Sequence, residues 1–149
     1  MADYFGLLGL NPQFDLDLPA LEQAYFKAQR QYHPDRFVSK SAPERQQALQ
    51  QSMDINQAYD TLKNPLTRAQ YCLHLHGITV GTEKDSVKPS QATLIEAMEL
   101  REEPPQKAAL EQMIADSIQT LSRHYSASAF DAMAQETLRL GYLMKARAQ

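Results

Sequence analysis

Cysteine is nearly absent from this chain of 149 residues, in which Cys72 is the only one. A single cysteine excludes an internal disulfide and favours a reducing compartment. No run of about eighteen apolar residues occurs, so no membrane span is expected. The first residues, from Met1 to Tyr4, have neither the basic nor the apolar region of a signal peptide. We therefore expect a cytoplasmic protein with no membrane partner.

The chain also lacks an excess of positive charge. Its formal net charge is −3, with 7 Lys and Arg against 8 Asp and Glu in residues 1–77, and 8 against 10 in residues 78–149. Nucleic acids are usually bound by a strongly basic domain, and neither half provides one. No nucleic-acid partner is expected, and any basic contact with a protein must be a local patch.

Signals for catalysis and for β-structure are missing as well. The sequence holds no glycine-rich phosphate loop and places no serine or cysteine nucleophile beside a base. No strand pattern, internal repeat or low-complexity tract occurs. The sequence therefore predicts an all-α protein that is not an enzyme and needs no cofactor.

Helix signals divide the chain into two groups of helices. A short turn at 3–10 is capped by Asp3. Longer helices are predicted at about 18–32, 42–63, 65–76, 91–103, 106–124 and 127–147. Residues 78–90 lack helical periodicity and contain Gly, Ser, Thr and Pro, which is typical of a linker. The predicted architecture is a helical hairpin domain over 1–77, a linker over 78–90 and a three-helix bundle over 91–149.

The second long helix has a candidate buried stripe. At 100° per residue, the side chains predicted to face inward are Leu49, Ser52, Asn56, Tyr59 and Leu62, with Met53 and Ile55 flanking them.

The connection within the hairpin has the sequence Tyr32-His33-Pro34-Asp35-Arg36. Pro34 removes a backbone donor and moves His33 out of the α region, so the chain must turn here. The turn carries an imidazole, a carboxylate and a guanidinium. A polar connection held between two helices indicates a functional surface more than a packing element.

These residues resemble the J-domain of DnaJ-type co-chaperones, together with the segment from Ile55 to Leu62 on the second helix. The resemblance extends to the HscB family, co-chaperones of iron–sulfur cluster assembly. It rests on Asp3-Tyr4-Phe5, on the segments at 65–71 and 75–77, and on Glu99-Leu100-Arg101-Glu102-Glu103. The sequence departs from the family pattern at Pro104-Pro105, where other members continue with acidic residues.

The resemblance implies that the turn docks on a DnaK- or HscA-type chaperone and stimulates its ATPase. A rigidly held Asp35 carboxylate suits a charge-assisted pair with an arginine of the partner. The implied chaperone-binding residues are His33, Pro34, Asp35, Arg36, Lys27, Arg30 and Phe26. The alternative is that His33 and Asp35 only satisfy backbone groups of the turn, and that Lys27 and Arg30 belong to an ordinary solvated face.

The resemblance also implies that the second domain binds the IscU-type scaffold on which clusters are built. A small apolar stripe bordered by carboxylates suits a basic, partly apolar client. The implied scaffold-binding residues are Leu94, Ile95, Met98, Glu99, Glu102 and Tyr142. The alternative is that Leu94, Ile95 and Met98, which lie on a different side of the helix from Ala97 and Leu100, are core residues. A client other than the scaffold also stays open.

Cys72, His74 and His76 suggest a second alternative, a helical metal-binding protein. On a helix Cys72 and His76 share a face while His74 points elsewhere. Two ligands on one face are too few for a closed zinc site. Structural roles are therefore favoured, and no metal site is expected.

Overall fold

The computed structural model describes residues 3–81 and 87–149. The described residues form helices and connecting segments, without a β-strand, which confirms the predicted all-α class. A short 3₁₀ helix, Pro34–Phe37, follows α2. The seven α-helices of the described ranges are α1 (Tyr4–Leu7), α2 (Leu18–Tyr32), α3 (Ala42–Lys63), α4 (Pro65–Leu75), α5 (Gln91–Glu102), α6 (Lys107–Ser126) and α7 (Phe130–Arg147).

Helix starts follow from capping residues in the sequence. The Asp3 carboxylate accepts a hydrogen bond from the Gly6 amide at 2.7 Å and begins α1, as predicted. The Ser41 hydroxyl accepts from the Glu44 amide, and the Ser90 hydroxyl accepts from the Thr93 amide. Each bond satisfies one of the amides that the first helical turn leaves without an intrahelical partner.

The chain divides into two compact units, Met1–Asn64 and Pro65–Gln149. The division lies before the predicted domain limit at residue 77, because α4 packs against α7 and so belongs to the second unit. A boundary placed by composition marked the stretch after α4, because its sequence lacks helical periodicity. It could not show which neighbours α4 would have. As functional domains, the limits 1–77, 78–90 and 91–149 stay a prediction.

Part of the predicted linker is packed against the second unit. Val80 is buried. The Gln135 side-chain amide donates to the Lys88 carbonyl at 2.8 Å and accepts from the Ser90 amide at 2.9 Å. Residues 82–86 of the predicted linker lie outside the described residues.

The first unit is built on α2 and α3. These helices are antiparallel, because Tyr25 pairs with Asn56 whereas Gln29, one turn later, pairs with Ser52. The rings of Tyr25 and Tyr59 stack with their centroids 4.2 Å apart. The buried apolar side chains of this unit are Phe5, Leu8, Phe14, Leu21, Ala28, Ala48, Ile55, Ala58 and Leu62.

The buried face of α3 differs from the predicted stripe. Ile55 and the two alanines Ala48 and Ala58 are buried with Leu62, whereas Leu49 is exposed. Small residues let a neighbouring helix approach closely, and the predicted stripe did not include the two alanines. The true buried face is therefore rotated relative to the predicted one.

The second unit is organised around α7. α6 and α7 form an antiparallel pair, in which Glu111 bonds Arg147 whereas Ser117 bonds Glu136. α4 and α5 each pack against α7 as well. The predicted three-helix bundle is therefore joined by α4 as a fourth helix. Buried apolar side chains of this unit are Ala69, Cys72, Leu73, Val80, Leu100, Leu110, Ile114, Leu121, Met133, Ala134, Leu140 and Leu143.

Candidate docking surfaces

The turn after α2 is held by its own backbone and by one imidazole. His33 has φ −62° and ψ 136°, the extended conformation that a following proline imposes. Its Nδ1 accepts the Asp35 amide hydrogen at 3.2 Å, and its carbonyl accepts from the Arg36 amide at 2.9 Å. His33 therefore caps the 3₁₀ helix that Pro34 begins. His33 thus satisfies one backbone amide of the turn, and its role in chaperone binding stays a prediction.

The carboxylate of Asp35 has a different environment. Its side chain is 89% exposed, and the nearest basic side-chain atom within the described residues is His33 Nδ1 at 3.6 Å. That nitrogen cannot pair as a cation while its lone pair accepts the Asp35 amide hydrogen. With His33 in the form that caps the turn, the carboxylate is therefore open to a partner. Asp35 combines a fixed backbone with an available charge, which is the arrangement that favours a charge-assisted contact.

Arg36 turns back towards α2. Its Nη1 donates to the Arg30 carbonyl at 3.2 Å, which is one of the carbonyls that the last turn of α2 leaves without an intrahelical donor. The guanidinium thus stabilises the exit from the helix, although the residue as a whole is exposed. Of the cationic side chains predicted for docking, Arg36 is the one with a structural hydrogen bond of its own.

A groove of about 470 Å³ lies beside the turn and is lined by Phe26, Gln29, Arg30, His33 and Arg36. Phe26 is exposed, as predicted for an apolar contact. Four of the predicted chaperone-binding residues are therefore brought together on one groove. Lys27 is not among them.

Lys27 lines a second groove, of about 660 Å³, which Gly9 of the loop after α1, Gln31 of α2 and Ile55 of α3 also border. The sequence placed Lys27 with Arg30 as one positive patch. The structure assigns the two side chains to different grooves of the same unit.

A group of hydrogen bonds between α2 and α3, called the polar clasp below, lies next to the first groove and was not predicted from the sequence. The Gln29 side-chain amide donates to Asn56 Oδ1 at 2.7 Å, and the Ser52 hydroxyl donates to Gln29 Oε1 at 3.0 Å. Tyr25 donates its hydroxyl to the same Asn56 oxygen at 2.5 Å. The clasp joins α2 to α3 one turn before His33. Polar residues at positions predicted to face inward, Ser52 and Asn56, were the available signal.

In the second unit, α5 exposes the apolar side chains that the sequence selected. Leu94 is 45% exposed, Ile95 49% and Met98 61%. Leu100 is buried and Ala97 half-buried on the other side of the helix. The alternative that Leu94, Ile95 and Met98 are core residues of the fold is therefore wrong. An apolar stripe of this kind on an exposed helix is typical of an interaction surface.

Leu94, Met98 and Tyr142 meet at one pocket of about 320 Å³ between α5 and α7. Its lining includes Arg101 and Lys145, which the sequence analysis did not select. The pocket thus has an apolar wall and a cationic rim. Lys145 lies three residues beyond Tyr142 on α7, and Arg101 lies three residues beyond Met98 on α5. Helical spacing from the apolar positions was the signal that could have identified both cations.

Ile95, Glu99 and Glu102 form a second stripe on α5, next to the pocket rather than in it. Their spacing of four and three residues places them on one face of the helix. Both glutamates are exposed, and neither side chain has an ion-pair or hydrogen-bond partner in the described part of the chain. The predicted scaffold surface is therefore two adjacent stripes, one apolar with a cationic rim and one acidic.

The possible metal ligands are not arranged for metal binding. Cys72 is fully buried, and burial raises the pKa of its thiol to about 12, although the positive charge of Arg68 lowers it in part. His76 is exposed and stacks on Phe130 with a centroid separation of 4.0 Å. No three His, Cys, Asp or Glu side chains in residues 3–81 and 87–149 are placed to hold one metal ion.

None of the described helices combines the length and the apolar character that a membrane crossing requires.

The chain matches the DnaJ domain family over residues 3–71. Over 101 residues it is 50% identical to the co-chaperone protein HscB of Proteus mirabilis, an alignment that includes 68% of this chain and 58% of that protein. The alignment thus spans less than two thirds of the relative's length.

Solved structures agree with this match over almost the whole chain. The chaperone HscB from Vibrio cholerae superimposes with a TM-score of 0.83 and 32% identity, covering 99% of this chain and 94% of that one. Human co-chaperone protein HscB gives a TM-score of 0.81 and 30% identity, covering 97% and 78%.

Proposed function

Because the chain belongs to the HscB family of co-chaperones, we propose that it stimulates the ATPase of a DnaK- or HscA-type chaperone and delivers the IscU-type iron–sulfur scaffold to it. The protein would thereby assist the maturation of iron–sulfur proteins. The observation that carries this proposal is the Asp35 carboxylate, exposed on a turn whose backbone is already fixed.

The chaperone contact uses charge on a preorganised support. The turn needs no further ordering when it binds, so the pairing of Asp35 with a partner arginine loses little conformational entropy. Arg30, Arg36 and Phe26 border the neighbouring groove and add positive charge and one apolar contact. We assign Lys27 a contact on the adjoining groove of the same unit. Stimulation of a partner's ATPase requires no chemistry from this chain.

The scaffold contact uses the two stripes of α5. The pocket between Leu94, Met98 and Tyr142 has the size and apolar wall for one large apolar side chain of the client. Ile95, Glu99 and Glu102 lie beside it and suit a basic neighbouring segment. Pro104 and Pro105 follow the end of α5 at Glu102, so the acidic surface ends with the helix.

The two contacts use different units of the chain, which lets one molecule hold chaperone and scaffold together. We propose that this takes place in the cytoplasm, where a single unpaired cysteine stays reduced.

An ATPase assay tests the proposal. Purified HscA-type chaperone is titrated with the protein, with and without IscU-type scaffold. The expected result is an increase in hydrolysis rate with the protein alone and a further increase when scaffold is added. An unchanged rate under both conditions would refute the proposed function.

A further inference from the structure

Helix α5 has little apolar packing to hold it in place. Leu100 is its only buried residue among the twelve, and the large side chains Leu94, Ile95 and Met98 stay exposed. Burial of apolar area is the main force that fixes the rotation of a surface helix. Since α5 buries so little, other contacts must fix the orientation of its two stripes.

Polar contacts to α7 provide that constraint. Arg139 of α7 donates from Nε to Glu96 Oε1 at 2.5 Å, near the middle of α5. Gln135, one turn earlier on α7, holds the start of α5 through the Ser90 amide and the Lys88 carbonyl. The pairings advance in the same direction along both helices, so α5 runs parallel to α7. Tyr142 extends the same face of α7 to the pocket.

Arg139 is itself anchored to the bundle. Its Nη1 donates to Glu136 Oε2 at 3.0 Å, and that oxygen accepts the hydroxyl hydrogen of buried Ser117 on α6 at 2.6 Å. The side chains of Arg139 and Glu96 are only 28% and 32% exposed. Burial alone would lower the pKa of Arg139, but hydrogen bonds to Glu96 and Glu136 outweigh it, so its pKa lies above the usual value.

Resting on the proposed function, we propose that Glu96 and Arg139 are positioning residues that orient α5 for the scaffold. Ser117, Glu136, Arg139 and Glu96 form a chain of hydrogen bonds from α6 through α7 to α5. It sets the rotation at which Leu94 and Met98 face Tyr142 while Glu99 and Glu102 face outward. Neither Glu96 nor Arg139 lines the pocket, so both act through α5 rather than by contact with the client.

The test compares scaffold affinity for Glu96→Gln, Arg139→Gln and the double variant. Partly buried, charge-assisted hydrogen bonds are strong enough that each single variant is expected to bind scaffold about five- to tenfold more weakly. The double variant is expected to bind no more weakly than Arg139→Gln, because Arg139→Gln already removes the bond to Glu96. Stimulation of the chaperone without scaffold should stay at the parent level.

The Arg139→Gln variant distinguishes a positioning role of this residue from a direct electrostatic effect on the client. If charge near the surface mattered only through attraction of a basic client, removal of an arginine would strengthen binding. The positioning role predicts weaker binding instead. Glu111→Gln is the matched control, because Glu111 forms its ion pair with Arg147, at 3.6 Å between α6 and α7, rather than with a residue of α5. This control should bind scaffold as the parent does.

Amide hydrogen exchange gives a readout that general destabilisation would not produce. Protection should fall in α5 alone, with α6 and α7 unchanged. Unchanged or tighter binding by Arg139→Gln, equal weakening by Glu111→Gln, or loss of protection throughout the unit would each overturn the proposal. A parent protein that bound no scaffold would refute the proposed function. Amide hydrogen exchange in α5 would still show whether Glu96 and Arg139 hold this helix in place.

Discussion

The turn at His33-Pro34-Asp35 and the exposed face of α5 present partners with different kinds of surface. The turn offers one open carboxylate, and its shape is fixed locally by a proline, an imidazole cap and the bond from Arg36 to Arg30. The α5 surface offers three apolar side chains, and its orientation depends on α7. The first surface is preorganised by sequence neighbours, the second by tertiary contacts.

This difference determines how each surface should respond to substitution. A contact that depends on one charge is lost when that charge is lost, because the partner arginine is left unpaired. A contact that depends on apolar area weakens in proportion to the area removed. We therefore expect a single substitution to abolish the function of the turn. On α5 we expect scaffold affinity to fall in proportion to the apolar area that is removed.

Asp35→Asn should have the largest effect. Truncating one member of a buried charge pair at an interface costs roughly 2–5 kcal/mol, so stimulation of the chaperone ATPase should fall by about thirtyfold or more. Scaffold affinity should not change. Asp60→Asn, which alters an exposed aspartate on α3 of the same unit, is the control and should stimulate normally. Full stimulation by Asp35→Asn would show that the turn is not part of the chaperone contact.

Replacement of Leu94, Ile95 and Met98 together by alanine should reduce scaffold affinity on the order of a hundredfold, at about 1 kcal/mol for each side chain. Calorimetric titration with scaffold measures the loss. The fold should be intact, since all three side chains are exposed. The Leu49→Ala/Met53→Ala variant removes exposed apolar side chains from α3 and serves as the comparison. Parent-like affinity of the triple variant would show that α5 does not bind the client.

Tyr142 tests the pocket between α5 and α7. Tyr142→Ala opens the wall opposite Leu94 and Met98 and should weaken scaffold binding about tenfold, as expected for an aromatic residue at an interface. Tyr142→Phe keeps the ring and should bind within about twofold of the parent. If both variants bound equally weakly, the hydroxyl rather than the ring would be the important group.

Cys72 should influence stability alone and leave both surfaces unaffected. The unfolded chain releases the thiol proton above pH of about 8.5, whereas the folded chain holds it up to about 12. The neutral thiol therefore contributes fully to the free energy of unfolding at pH values below the pKa of the unfolded chain. This contribution declines as pH rises towards 12. The slope is at most about 1.4 kcal/mol per pH unit.

Urea unfolding of the parent and of Cys72→Ala between pH 8 and 11 isolates this contribution, because other titrating groups are common to both proteins. The free energy of unfolding should decline more steeply for the parent. Parallel curves would mean that the thiol is not buried as described. ATPase stimulation and scaffold affinity of Cys72→Ala at pH 7.5 should equal those of the parent.

Local signals in the sequence were sufficient for the helices and for the turn. Pro34 and the capping residues Asp3, Ser41 and Ser90 act on their immediate neighbours, so their effects could be predicted without the fold. Exposure of Met98 followed from its carboxylate neighbours and from resemblance to a family. These features depend on a few adjacent residues.

Features that depend on distant neighbours could not be predicted in the same way. The packing of α4 on α7 and the burial of Ala48 and Ala58 follow from tertiary contacts rather than from local composition. The bond between Glu96 and Arg139 joins residues 43 apart in sequence, and periodicity could place neither in register with the other. Helical spacing could relate Lys145 to Tyr142 on α7, but its position beside Arg101 of α5 depends on the packing of the two helices.

The central claim is that one chain joins chaperone and scaffold through two surfaces, and a mixing experiment tests it directly. ATPase stimulation of an HscA-type chaperone in the presence of scaffold is measured with the parent, and then with an equimolar mixture of Asp35→Asn and the Leu94, Ile95 and Met98 triple-alanine variant. The mixture contains both intact surfaces, but on different molecules. We predict that it fails to restore the scaffold-dependent part of the stimulation. Stimulation equal to that of the parent would contradict delivery by a single chain.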